Sequence, residues 1–488
     1  MTFLPRTEVL IIGGGIIGTA IARELAKYSS QVTLVEREVD LSFGTTKANS
    51  GIVHSGVHDR PGTLKARFCV RGNQLYPLVA AELDVLYKKN GALIVARNQE
   101  ELADLDRLRK NGLTNGVPEV IQLTKEELLH LEPALSPELA GGLLVPSGGI
   151  VVPFDLAYAL AENAQANGVR IAVQTEVTEI KDCGVEFLVE TDQGRITSEY
   201  IINATGLSGA KVAEMIGDEP FKIRPRKGEE YLLDKKYEGL IKRTIFPLPT
   251  PVSKGVLVIP TVDGNIMLGP TAQQDVALDD LATSAVGWNR ILQEVSTLFP
   301  GFKASDLISS FAGLRAVPDG DDFIIAPSKQ SHRFINVAGI ASPGLTAALG
   351  IAEYVVELLK ESGLKLQPKR DFNPHRRQIR LRNLGVEERA QIIKEDARYA
   401  SIICRCELVS EGEIREAIKR GATTVDGIKL RTRAGMGRCQ GGFCTPKIIQ
   451  ILSEELQITP GEVSKKGPGS SLLVGQLRQA CMGEREGY

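Results

Sequence analysis

The run Val9-Leu-Ile-Ile-Gly13-Gly-Gly15-Ile-Ile-Gly18 constrains the fold of this chain more than any other segment. A short apolar strand enters glycines spaced G-x-G-x-x-G. A helix with apolar periodicity then runs from Ile16 to about Lys27, and a second strand, Gln31 to Val35, ends in Glu36. Together they form a βαβ unit of the dinucleotide-binding kind, which commits the N-terminal region to a parallel α/β sheet. Gly13 makes the turn, Gly15 admits a pyrophosphate and Gly18 lets helix and strand pack closely. Ile16 and Ile17 open the helix whose N-terminus faces the phosphates. Glu36 accepts hydrogen bonds from the adenosine ribose, with Arg37 beside it as a further cofactor contact.

The C-terminal quarter carries a second constellation. Of seven cysteines, Cys69, Cys183 and Cys481 are scattered singly, whereas Cys404-Arg-Cys406 and Cys439-Gln-Gly-Gly-Phe-Cys444 form two tight pairs. Four thiolates suit either zinc or an iron–sulfur cluster. Structural zinc pairs usually enclose two or more residues on each side, and here the first pair encloses one. Gly435, Gly437, Gly441 and Gly442 around the second pair leave room for backbone N–H groups to approach bridging sulfides, which favours [2Fe-2S] and leaves zinc as the alternative.

At 488 residues and 43% hydrophobic content the chain can bury more than one core, so two or three domains are expected. A formal net charge of −2 gives no electrostatic reason to expect nucleic acid. No apolar run reaches membrane-spanning length, and the N-terminus lacks a secretory pattern. Cysteines used as ligands agree with a reducing compartment, and the expected location is cytoplasmic, with peripheral membrane association only through partners.

The polar, glycine-bearing stretch Ser42 to Val57 follows the βαβ unit and suits a segment threading beside an extended cofactor. With these motifs the chain resembles the D-amino-acid-oxidase-like FAD superfamily, in its hydroxy-substrate branch of glycerol-3-phosphate and L-2-hydroxyglutarate dehydrogenases. The C-x-C and C-x4-C pairs resemble the BFD-type [2Fe-2S] module. The resemblance spans about residues 6 to 365 and about 401 to 455. It implies FAD and [2Fe-2S] as cofactors, and a Rossmann-like FAD-binding domain with an inserted antiparallel-sheet substrate domain. It further implies a small helical C-terminal [2Fe-2S] domain. The FAD-binding parts are expected at about 1–75, 160–215 and 310–365, and the substrate domain at about 75–160 and 215–310. A basic linker (366–400), the cluster domain (401–455) and a looser tail (456–488) follow. The resemblance places Thr45, Thr46, Asn49, Ser50 and Gly51 along the ribityl chain and flavin, and Val177 at the adenine. It brings Ala204, Thr205 and Gly206 back to the pyrophosphate, and puts Gly313, Arg315, Gly339, Pro343, Gly344, Leu345 and Thr346 around the flavin ring.

Five histidines are present, and His54 and His58 flank Gly56 inside the flavin loop, where either could take a hydroxyl proton. His54 is also the residue that would tether FAD covalently, as in some relatives. Arg315 supplies bidentate geometry for an anionic group, and the resemblance gives it the substrate clamp. Lys227 is a second candidate for that pocket, with Arg226 and Tyr231 near it. The region of Gly339 to Thr346 lacks the cationic Gly-Gly-Lys-x-x-Thr-Tyr-Arg pattern of glycerol-3-phosphate dehydrogenases, and one arginine is little charge for a phosphate dianion. The loop Asn49 to Gly56 instead resembles the 2-hydroxyglutarate pattern. The expected reaction is oxidation of a secondary alcohol on a small anionic substrate, with electrons passing through the cluster to a redox partner subunit or carrier. An electron-relay subunit and an amino-acid dehydrogenase are the alternatives.

Overall fold

The computed structural model describes residues 6–219, 221–250 and 253–475. Cys481 lies outside the described residues. The chain divides into two compact units. The first comprises residues 1–37 and 41–377, the second 38–40 and 378–488.

The first unit is built on two large sheets. In one, strand Thr7–Ile12 runs parallel to Val32–Val35 on one side and to Gly194–Asn203 on the other. Arg170–Ala172 extends the parallel set beyond Val32–Val35, and Phe334–Ala338 pairs parallel with the end of Gly194–Asn203. Strands buried on both faces need continuous apolar sequence, and Val9, Leu10, Ile11, Leu34, Ile201, Ile202, Phe334 and Ile335 are all essentially inaccessible. The helix Ile16–Leu25 begins where the glycine motif ends. A Cβ on Gly18 would lie 1.9 Å from the Gly13 carbonyl oxygen, and one on Gly13, at φ +110°, 2.5 Å from that of Ala204. Only glycine permits this approach of helix to strand.

The second sheet has eight strands, ordered Leu307–Pro318, Ile223–Leu233, Ile266–Gly269, Leu257–Pro260, Thr244–Phe246, Ala92–Ala96, Gly141–Val145 and Ile121–Thr124. All its pairings are antiparallel except Thr244–Phe246 with Ala92–Ala96. Strands Leu257–Pro260 and Ile266–Gly269 are antiparallel neighbours. The segment Gln99 to His130 holds helices Leu102–Thr114 and Lys125–Leu131, the latter opened by a capping box between Thr124 and Glu127. Between them Ile121–Thr124 forms an edge strand of the sheet.

The basic stretch expected as a linker is folded. Lys369 and Arg376 donate backbone N–H groups to Lys27 and Glu82, and the buried Arg376 side chain pairs with Glu162 at 2.7 Å, which holds residues up to 377 in the first unit. Beyond it, helix Val386–Glu395 belongs to the second unit.

The second unit is small and mostly helical. Ser410 caps helix Glu411–Lys419 in a capping box with Glu413, and helices Val425–Thr432 and Thr445–Leu456 complete a core of Ile414, Ile428, Ile448 and Leu452.

Candidate active site and cluster site

At the glycine motif, Glu36 Oε2 accepts the Gly14 N–H at 2.7 Å, and Thr46 Oγ1 accepts the Ile16 N–H at 3.0 Å. Glu36 therefore braces the turn, and Thr46 takes the first helical donor. A Cβ on Gly15 would meet only Thr46 Oγ1, and one on Gly206, at φ +59°, would meet nothing within 4 Å. The buried Ser42 hydroxyl has no hydrogen-bond partner among the described residues. An open face lined by glycines and an unpartnered hydroxyl fits an extended pyrophosphate. Val177 begins the strand Val177–Asp182, and Ala204 N–H donates to the Ile12 carbonyl, which brings Ala204, Thr205 and Gly206 beside the motif. The structure gives Ile17, buried in the first helical turn, a packing role, and Arg37 follows Glu36 at the end of the same strand.

The loop from Thr45 to His58 is held from three directions. Thr45 Oγ1 donates to the Leu314 carbonyl at 2.6 Å, and a Cβ on Gly313 would stand 2.1 Å from the Ala48 carbonyl oxygen. Asn49 bonds to the Thr46 carbonyl and Gly51 N–H. Ser50 Oγ donates to Glu230 Oε1 at 2.6 Å. From the third side, His54 N–H donates to Thr346 Oγ1 at 2.8 Å, in the first turn of helix Gly344–Glu361. Gly339, at φ +66°, and Pro343 shape the turn before that helix, and the Leu345 carbonyl accepts the Tyr76 hydroxyl.

His54 Nε2 lies 3.4 Å from Ser342 Oγ, and the His54 and His58 rings face Phe246 at centroid distances of 5.8 and 4.9 Å. Burial, and then the Lys254 charge, hold both imidazoles well below the ordinary histidine pKa, and His58 depresses His54 further. Both rings are thus neutral near pH 7 and able to accept a proton. The Lys254 ammonium itself is buried and has no hydrogen-bond partner among the described residues, as is true of His58 Nε2.

Arg315 lies on Leu307–Pro318 directly opposite Arg226 in the ladder. Burial pulls its pKa down, opposed by the carboxylate of Glu230. The guanidinium lies over Gly228, where a Cβ would stand 2.4 Å from one of its nitrogens. Glu230 is fully buried, and burial raises its carboxyl to about 7 against the Ser50 hydrogen bond and Arg315. The period-2 alternation of the strand puts Arg226, Gly228 and Glu230 on one face and Lys227, Glu229 and Tyr231 on the other. Lys227 accordingly points away from Arg315 and is ion-paired with Asp280 at 2.6 Å, while Tyr231 donates to Glu229 and packs at a tilt against Trp288. The cation beside the histidines is Lys254, a residue that no motif singles out.

In the second unit the cysteines meet in two pairs. Cys406 and Cys439 sulfurs are 3.7 Å apart, and Cys404 and Cys444 share a hydrogen bond that draws the Cys404 thiol down to about 6. Two thiolates about 2.3 Å from one tetrahedral ion stand about 3.8 Å apart, so the first pair has the spread of two ligands on one metal. Cys404 and Cys444 are buried, Cys406 is exposed and Cys439 partly so. A Cβ on Gly437 would lie 2.2 Å from that of Cys406, so glycine there lets the two segments close. Among the described residues no three His, Cys, Asp or Glu side chains converge on a single ion. Thiolates in two pairs are what a two-iron cluster takes, one pair to each iron.

Residues 8–358 match the DAO family of FAD dependent oxidoreductases. The chain belongs to that family. This FAD dependent oxidoreductase also carries a BFD-like [2Fe-2S] binding domain over residues 402–454, which contains all four paired cysteines. It is 43% identical to a glycerol 3-phosphate dehydrogenase of Caloramator mitchellensis, over 96% of this chain and 99% of that protein. An L-2-hydroxyglutarate dehydrogenase of Salmonella houtenae is 30% identical over 73% of this chain and 94% of its own length. Among solved structures, the dithionite-reduced, FAD-bound L-alpha-glycerophosphate oxidase of Mycoplasma pneumoniae superposes with a TM-score of 0.73 at 33% identity. That match covers 76% of this oxidoreductase and 98% of the oxidase. Its cofactors are FAD in the first unit and [2Fe-2S] in the second. Among the described residues no helix is long and apolar enough to cross a membrane.

Proposed function

We propose that this oxidoreductase converts glycerol 3-phosphate to the corresponding ketone phosphate and passes the electrons on through its cluster to a separate acceptor. The observation that carries the substrate is the buried Lys254 ammonium beside His54 and His58, without a hydrogen-bond partner among the described residues. A buried charge without a partner is costly, and an anionic substrate group removes that cost. The sequence offers one arginine for a dianion; the folded chain offers several cations. The full-length likeness to a glycerol 3-phosphate dehydrogenase supports the same reading.

FAD, when bound, supplies the two-electron acceptor for the hydride of a secondary alcohol, and the Gly13–Gly18 turn, Thr45–Gly51, Ala204–Gly206, Gly313 and Gly344–Thr346 are the residues that would hold it. His54, neutral through burial and the Lys254 charge, takes the hydroxyl proton as the carbon gives up its hydride. Its backbone is fixed by Thr346, so the ring has a defined place from which to act. Arg315 and Lys254 orient the phosphate and leave the hydroxyl as the group facing the base. Cys404, Cys406, Cys439 and Cys444 would hold the [2Fe-2S] cluster, which when bound would supply one-electron transfer to a one-electron acceptor.

A 2-hydroxy acid is the second reading, favoured by the likeness to L-2-hydroxyglutarate dehydrogenases. Anaerobic titration with glycerol 3-phosphate and with L-2-hydroxyglutarate, following flavin absorbance and the cluster's EPR signal, separates the two. Bleaching by the second compound alone would sink the glycerol phosphate assignment. Bleaching by neither would favour the relay subunit.

A further inference from the structure

The surface around the outer cysteine pair has a composition that neither cofactor binding nor folding requires. Phe443, between Cys439 and Cys444 in sequence, is 85% exposed, although a buried core lies within reach of the neighbouring helix Thr445–Leu456. Its backbone N–H donates to the Cys439 sulfur, so the ring is anchored beside the exposed pair of ligands. Leu408, two residues past Cys406, is also exposed, 49%, and held at φ +53°. Exposed arginines Arg405 and Arg438 immediately precede Cys406 and Cys439, and exposed Lys447 follows Cys444. Arg405 and Lys447 form no ion pair among the described residues.

One carboxylate, that of Glu407, stands beside the outer pair. Glu407 is buried and paired with Arg382 and Arg433, while Glu454 and Glu455 lie at the far end of their helix, bound to Arg415. The outer sulfurs therefore lie in an apolar spot with a basic rim, on a chain whose formal net charge is −2. A solvent-exposed aromatic surrounded by cations marks a docking site more than a folding feature.

We propose that this face docks an acidic one-electron carrier protein, with Phe443 and Leu408 as the apolar centre, and Arg405, Arg438 and Lys447 as the steering charges. The proposal rests on the reading that electrons leave through the cluster. The occupant is a protein carrier because the redox ligands lie within the patch, and an acidic one because the rim is basic. One electron passes from the reduced cluster to the carrier per encounter, and two encounters discharge each alcohol oxidised. An anionic lipid surface would also meet this charge pattern but would accept no electron.

The test uses full-length protein carrying both cofactors and oxidised cytochrome b5, an acidic haem protein, as the probe acceptor. The double variant Arg405→Glu, Lys447→Glu should lower the second-order rate of haem reduction at low ionic strength by about tenfold or more, with the wild-type rate falling towards it as salt is added. Phe443→Ser should lower the rate without changing its salt dependence. In all variants the anaerobic flavin-bleaching rate, iron content and substrate-induced EPR signal should equal the wild type. An unchanged haem rate in the charge-reversed protein overturns the docking proposal. So does salt-sensitive sedimentation with phosphatidylserine vesicles combined with an unchanged haem rate. A cluster that gives no EPR signal on adding substrate to wild-type protein overturns the underlying exit route instead.

Discussion

Lys254 helps set the chemistry of His54. Because the Lys254 charge helps keep His54 neutral, the base form persists below the pH at which an ordinary histidine would be half protonated. The acid limb of kcat/KM should therefore fall below pH ~6.5. Lys254→Met should move that limb upward, since one cause of the depression is gone. The same variant should lose about 1.5–3 kcal/mol of transition-state binding, tenfold or more in kcat/KM. A pH–rate profile in which the limb stays put would separate Lys254 from His54. Stability has the same sign. The unfolded chain protonates near pH 6.5 and the folded imidazole resists it, so the histidines make folding less favourable as pH falls through that value. His54→Gln should keep flavin and lower the anaerobic bleaching rate by about 10²–10⁴-fold. The participants were unequally legible in sequence. His54 and the glycines sit in local motifs, where spacing carries the meaning. Lys254 sits in a connecting segment two hundred positions from His54, and nothing local marks it. Lys227, the second candidate the sequence offers for the Arg315 pocket, is turned by strand alternation to the Asp280 face.

Among elements, the contact of strand Leu307–Pro318 with the Thr45–Gly51 loop is sensitive to size. Gly313→Ala would place a methyl 2.1 Å from the Ala48 carbonyl oxygen, and neither backbone can yield without displacing Arg315 or the loop. The expected cost is about 1–3 kcal/mol, with weaker FAD retention. Flavin release on gel filtration, with circular dichroism to check the fold, measures it; tight flavin in the variant would contradict the packing. The element pattern was otherwise readable, because buried parallel strands, the capping box at Ser410 and the Pro-bounded strands each leave a local signature. The folded basic stretch left none, because its arginines gain their roles from Glu162 and Glu407, distant in sequence.

At the scale of the whole molecule, the two units have separate cores and separate cofactors. A chain ending at Arg377 should bind FAD and bleach with substrate, yet lose delivery to a protein acceptor; loss of bleaching would tie the chemistry to the second unit. The solved oxidase, matched almost whole by 76% of this chain, is consistent with a first unit that stands alone. The hydrogen bond from His54 to Thr346 bears on how such a site comes into being. Its partners are 292 positions apart, and the strand Gly194–Asn203 likewise waits for Phe334–Ala338. A ribosome adding residues from the N-terminus has made the flavin loop long before it makes the helix that anchors it. Nascent chains that stop short of residue 346 should hold no flavin, so the cofactor joins this protein late in synthesis, after most of the first unit has already left the exit tunnel.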